Sequence, residues 1–103
     1  MTQRKSDLEL LQGSAAEAAA LLQAVGNPKR LLILCLLIAN GEMTVGALNE
    51  MIVLSPSALS QHLAKMREEG LVSYRREAQT LYYRIEDPNV IKLIATLKDI
   101  FCP

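Results

Sequence analysis

The chain has 103 residues, 50% of them hydrophobic, with 11 Lys and Arg balanced by 11 Asp and Glu, one His and two Cys. That length allows one domain built on one core, and no low-complexity tract interrupts it. A formal net charge of zero excludes a generic polyanion binder that works through bulk positive charge.

Residues 1–6 read as a disordered tail. From about Asp7 to Val25, the residues Leu8, Leu11, Ala15, Ala18, Leu22 and Val25 recur at alternating spacings of three and four, which predicts a helix with a coiled-coil-like seam. Its alanines favour helix and allow a neighbour to approach closely, so the seam either packs within the chain or joins two copies of it. Asp7, Glu9 and Glu17 break the stretch that a signal-peptide core would occupy. Asn27-Pro28 starts a second helix, with Asn as cap and Pro at the first position, and Asn40-Gly41 stops it after about Ala39. Its LLILCLLIA interior is apolar on every face. Periodicity does not separate helix from strand there, but the cap and the length favour a helix at the centre of the core. The apolar run Leu31 to Ala39 spans nine residues, short of the roughly 18 that a membrane-crossing helix needs. A cytoplasmic protein is expected, with no membrane partner and with Cys35 and Cys102 reduced by default.

Thr44 caps a short third helix in which Val45, Leu48 and Met51 or Ile52 face inward. A fourth helix follows after a tight connection. Ser55 is its cap, Pro56 its first residue, and Gly70 ends it in a left-handed conformation. Leu59, Leu63 and Met66 fall at i, i+4 and i+7 and face a core, while Ser57, Ser60, Gln61 and Ala64 share the opposite side. Short hydroxyls and an amide, without bulky apolar groups, suit a helix that enters a major groove. The same face also suits an ordinary solvated helix.

A two-stranded wing comes next, with Val72, Tyr74 and Arg76 on one face of its first strand and Leu81, Tyr83 and Ile85 on one face of the second. Its turn, around Ala78-Gln79, lacks the Gly or Asn typical of a hairpin. Asp87-Pro88 opens a last helix with Val90, Ile91, Ile94, Leu97 and Phe101 on an apolar face. Between Ser57 and Arg84, five basic residues (Lys65, Arg67, Arg75, Arg76, Arg84) face three acidic ones (Glu68, Glu69, Glu77). A local basic stripe follows, which a dimer would double along a nucleic acid. The fold class is mainly α with a small β-hairpin, a winged helix-turn-helix in the order helix, helix, helix, recognition helix, two strands, helix.

The segments NPKRLLILCLL, LSPSALSQHLAKMREEGLV and RREAQTLYYRI, in that order and register, resemble the ArsR/SmtB-type bacterial transcriptional repressors from about Ala15 to Cys102. The resemblance implies a homodimer, joined by its first and last helices, on a double-stranded inverted-repeat operator. It implies base and phosphate contacts from Ser57, Ser60, Gln61 and His62, with Lys65 beside them, and flanking contacts from Arg75, Arg76, Gln79 and Thr80 of the wing. Arg76 fits least well, because strand alternation turns it inward. Most members release DNA on binding a metal, which needs three or four converging ligands. Here MTVGAL has no cysteine where metalloid-sensing relatives carry theirs, and the last helix has no histidine. No metal and no cofactor is expected.

Cys35 and Cys102 instead resemble the pair in the HlyU, BigR and YgaV type branch of the family. The resemblance implies a dithiol switch in which a persulfide, polysulfide or peroxide acts as covalent effector and joins the two sulfurs by a disulfide or a longer bridge. Two alternatives stand beside it. The cysteines fill space in an unswitched regulator, or the winged helix binds protein. Enzymatic activity is not expected, since there is no phosphate-binding glycine loop, no Cys-x-x-Cys and a single His to act as a base.

Overall fold

A computed structural model describes the backbone of residues 2–102 and the side chains of residues 7–102. The elements run α1 (Thr2–Val25), α2 (Pro28–Asn40), β1 (Met43–Thr44), α3 (Val45–Met51), α4 (Pro56–Glu68), β2 (Val72–Glu77), β3 (Thr80–Ile85) and α5 (Pro88–Phe101). Helix α1 begins at Thr2, where the sequence suggested a disordered tail. Met1 and the side chains of residues 1–6 lie outside the described residues.

Three helices start on the same device. Asn27 Oδ1 accepts from the N–H of Lys29 at 2.9 Å, Ser55 Oγ from Ala58 at 3.1 Å, and Asp87 Oδ1 from Asn89 at 2.9 Å, each before a proline whose missing N–H costs the helix nothing. Thr44 caps α3 by accepting from Ala47 N–H. Helix α4 closes through Gly70, at φ 77°, which lets Leu71 N–H reach the Met66 carbonyl at 2.9 Å.

The wing is antiparallel, with Val72 opposite Ile85, Tyr74 opposite Tyr83 and Arg76 opposite Leu81, a register consistent with the expected faces and turn. A third strand was not expected. Met43 and Thr44 pair with Tyr83 and Tyr82, so the sheet order is β1-β3-β2. Two residues carry no readable alternation, and only the approach of β3 makes them a strand. The hairpin turn is Ala78-Gln79, and Ala78 takes φ 57° in place of the absent glycine.

The core gathers Ile33, Leu34 and Leu37 of α2, Leu48 of α3, Leu59, Leu63 and Met66 of α4, Val72 and Tyr83 of the wing, and Val90 and Ile94 of α5. Fully burying one such side chain stabilises by about 1.5–3 kcal/mol. Of the alternatives Met51 and Ile52, Ile52 is the one that faces inward. Two inward assignments on α5 change, since Ile91 and Phe101 face out while Leu93 packs inward. Helix α1 meets α2 at 91° and, among the described residues, joins the core only through its end, with Val25 buried and Leu21 and Ala24 packed against it. Leu8, Leu11 and Leu22 of the predicted seam remain exposed. The result is elongated, 58 × 31 × 21 Å, with a radius of gyration of 16.2 Å, against about 13 Å for a compact chain of this length. No single helix among the described residues is long and apolar enough to cross a membrane.

An L-residue in the left-handed region costs about 1–2 kcal/mol, and glycine returns part of that through its greater unfolded freedom. Ala78→Gly is therefore expected to raise the melting temperature by a few degrees in a thermal melt. A lowered melting temperature would show that the turn is not strained at Ala78.

Candidate nucleic-acid interface and thiol pair

Because Leu59, Leu63 and Met66 are buried, the opposite side of α4 is the one left to solvent. Ser57, Ser60, Gln61 and Ala64 are all exposed on it. Ser57 Oγ lies 3.4 Å from the Ser55 capping hydroxyl. His62 sits elsewhere. It is half-buried and, with Lys65, lines a cleft of about 850 Å³ that also meets Arg30, Glu69 and Asp87, so the structure turns it toward the α1–α2 corner and away from the side that carries Ser57, Ser60 and Gln61. Lys65 is exposed at the rim, between the two directions.

On the wing, Gln79, Thr80 and Arg76 are exposed. Arg76 is on the face that Tyr74 turns to the core, as alternation requires, but it lies past the end of that core. Arg75 is already occupied. Its Nε and Nη2 donate to Glu42 at 3.1 and 2.7 Å, its Nη1 donates to Glu77 at 2.9 Å, and its guanidinium lies 4.2 Å from the centre of the Tyr82 ring. Glu42 lies outside the charge window read from the sequence, and it reaches Arg75 because β1, just after it, pairs with β3. Arg67 lies over the Tyr74 ring at 4.9 Å, and Arg84 is 4.0 Å from Glu86. Of the five basic residues, only Lys65 and Arg76 take part in no ion pair or ring contact among the described residues. The expected basic stripe is thus partly balanced within the fold, at Arg75 and Arg84, while Lys65, Arg67 and Arg76 take part in no ion pair among the described residues.

The cysteines belong to packed helices, Cys35 half-buried on α2 and Cys102 exposed at the end of α5, where its N–H donates to the Lys98 carbonyl at 2.7 Å. Both are free thiols. Burial pushes the Cys35 thiol up, Lys98 opposes that shift, and the charge of Cys102 is close enough to add to it. Lys98 had no signal in the sequence beyond its place one turn before Cys102. Among the described residues no group of three or more His, Cys, Asp or Glu comes together in a way that could hold a metal ion.

A family model described as bacterial regulatory protein, arsR family, matches residues 27–74, from the α2 cap through the recognition helix into β2. The HTH-type transcriptional regulator YgaV of Escherichia coli is 50% identical over 95% of this chain and 99% of its own length. The transcriptional activator HlyU of Vibrio cholerae is 44% identical over 93% of this chain and 88% of its own. The solved structure of reduced HlyU from Vibrio cholerae superposes with a TM-score of 0.85 at 43% identity, covering 92% of this chain and 99% of that one. The fold is a winged helix-turn-helix of the transcription-regulator class. The chain belongs to the ArsR family, and these relatives are regulators of transcription, not enzymes.

The Arg75 guanidinium holds the Glu42 carboxyl below the usual glutamate range. The pair therefore contributes above that range and is lost as pH falls through the lowered value. In an NMR titration the Glu42 midpoint should lie below ordinary glutamate and return to it in Arg75→Met. An unchanged midpoint in the variant would mean that the pair does not form in solution.

Proposed function

We propose that this chain is a homodimeric, sequence-specific DNA-binding repressor, acting in the cytoplasm on an inverted-repeat operator, whose grip is altered when Cys35 and Cys102 are oxidised. The observation that carries the DNA-reading part is the outward face of α4, with the hydroxyls of Ser57 and Ser60 and the amide of Gln61 exposed beside a capped, proline-started helix N-terminus. Such groups bond to base edges and phosphates, and the positive end of the helix dipole favours the phosphate backbone. The exposure of Gln79, Thr80 and Arg76 on the wing supports contacts from them to the flanking backbone, while Arg75, held by Glu42 and Glu77, braces the wing. Dimerisation is supported by the exposed leucines of α1 and by Ile100 and Phe101 at the end of α5, apolar surface that a protruding helix leaves uncovered. A bound dimer represses by occupying promoter DNA. The same occupancy would activate a gene when it displaces another DNA-bound silencer.

The redox part follows from exposure. Cys102, at the surface, reacts first, as the nucleophile. Its thiolate takes the outer sulfur of a persulfide RSSH, the S–S bond breaks, RS⁻ leaves, and Cys102 becomes Cys102–S–SH. The Cys35 thiolate then attacks Cys102 Sγ, forming the disulfide and expelling HS⁻, so that two thiols are oxidised as one sulfane sulfur is reduced to sulfide. With peroxide the intermediate is Cys102–SOH and the leaving group is hydroxide. The bridge ties the end of α5, with Ile100 and Phe101, to α2. A shift of about 1–3 kcal/mol between two dimer geometries changes affinity roughly 5- to 150-fold. The reading of the two cysteines as space-filling groups remains the competing one, and the half-burial of Cys35 is what favours it.

Ser60→Ala with Gln61→Ala should lower operator affinity by about 1–3 kcal/mol per lost contact in fluorescence anisotropy at stated salt, with the dimer intact. Normal binding by the double variant would remove α4 from the interface. A persulfide donor should yield one intramolecular sulfur link by intact mass and change operator affinity, and Cys35→Ser should abolish both. Because the raised Cys35 thiol must ionise for the second step, bridging should keep accelerating with pH beyond the range where an ordinary thiol has finished ionising. A response that survives in Cys35→Ser would return the pair to a packing role.

A further inference from the structure

Arg30 stands where its own helix does not favour it. It is the third residue of α2, in the first turn, where the positive end of the helix dipole repels a cation. The side chain is only 12% exposed. Two other helix ends explain its place. One nitrogen, Nη1, donates to the Ala24 carbonyl at 2.7 Å and to Glu69 Oε2 at 3.1 Å. Ala24 is in the last turn of α1, where carbonyls have no partner within the helix, and Glu69 is the residue that caps α4. A single guanidinium therefore joins the ends of α1 and α4, with Glu69 39 residues along the chain.

Val25 anchors the last turn of α1 in the core, but beside the Arg30 link lies the open cleft of about 850 Å³, bordered by Leu21 and Ala24 on one side and His62, Lys65 and Glu69 on the other, so on this side the guanidinium bridges open space. The corner itself is tight. Gly26 lies between α1 and α2, and a Cβ there would stand 2.8 Å from the Leu22 carbonyl oxygen. Beyond the corner, α1 is a lever of 24 residues, about 36 Å long. A tilt of about 5° at the corner moves its far end by roughly 3 Å at that length.

We propose that Arg30 is a positioning residue for DNA recognition: by bonding the α1 carbonyl end to Glu69, it sets the angle between the dimer-forming helix and the recognition helix, and so the spacing of the two α4 helices across an operator. This rests on the dimeric reading above. Two recognition helices must meet major grooves about 34 Å apart, and a small angular error spoils the second contact without touching the first. The chemistry of α4 is unchanged by the link, so what Arg30 governs is simultaneous engagement.

The test compares two duplexes, the inverted repeat that the wild-type protein selects from a randomised pool and the same duplex with one half-site scrambled. Arg30→Met should weaken binding to the intact repeat by roughly tenfold or more, equivalent to about 1.4 kcal/mol, and leave binding to the scrambled duplex almost unchanged. Glu69→Gln, which keeps a neutral acceptor at a more exposed site, should show the same pattern at smaller size, and Arg30→Lys should partly restore the intact-repeat affinity. Circular dichroism and sedimentation confirm the fold and the dimer. Equal losses on both duplexes, loss of the dimer, or an undiminished preference in both Arg30→Met and Glu69→Gln would overturn the proposal. A wild-type protein that does not distinguish the two duplexes would instead overturn the dimeric reading on which it rests.

Discussion

The burial of one stripe of α4 decides what the molecule offers to its surroundings. Leu59, Leu63 and Met66 are almost wholly removed from water, and replacing one such side chain by alanine typically costs about 2–5 kcal/mol. Rotating the helix about its axis would expose all three, so the face carrying Ser57, Ser60 and Gln61 has no freedom to turn elsewhere. Specificity at the surface is in this sense an outcome of hydrophobic packing beneath it. The Ser55 cap and the Gly70 stop set the length of the helix, and Arg30 and Glu69 tie its far end to α1.

Electrostatics limit how such a protein can hold a polyanion. The chain is neutral, and near the recognition helix Arg75 is balanced by Glu42 and Glu77 and Arg84 lies 4.0 Å from Glu86. Lys65, Arg67 and Arg76 take part in no ion pair among the described residues and are the cations left to release counterions from DNA. In the dimer proposed above, affinity comes from two half-sites engaged together and from short polar contacts in the groove. Dimer geometry is then the point on which the proposed sulfur bridge between α2 and α5 and the proposed strut at the α1–α2 corner would both act.

The parts of this fold that were legible in the sequence are those governed by local chemistry. Asn27-Pro28, Ser55-Pro56 and Asp87-Pro88 place three helix starts because capping and the constraint before proline act within a few residues. The alternation through the wing gave the faces of its two strands for the same reason. What was missed depends on residues distant in sequence. Strand β1 exists only because β3 passes beside it, Glu42 neutralises Arg75 across 33 positions, and Arg30 finds Glu69 across the fold. The family resemblance puts His62 among the groove contacts, and one residue of helical rotation from Gln61, about 100°, places it on the cleft. The α1 seam divided for a comparable reason, its last turn claimed by the core at Val25 while Leu8, Leu11 and Leu22 stayed outside.

The central claim is that the small polar face of α4 enters the major groove. The most direct measurement places an iron chelate on Gln61→Cys, in a protein whose Cys35 and Cys102 are serine, and maps where hydroxyl radicals cut the operator. The account expects cleavage centred within both half-sites and related by the two-fold axis of the repeat. Diffuse cutting, or cutting confined to flanking DNA, would contradict it.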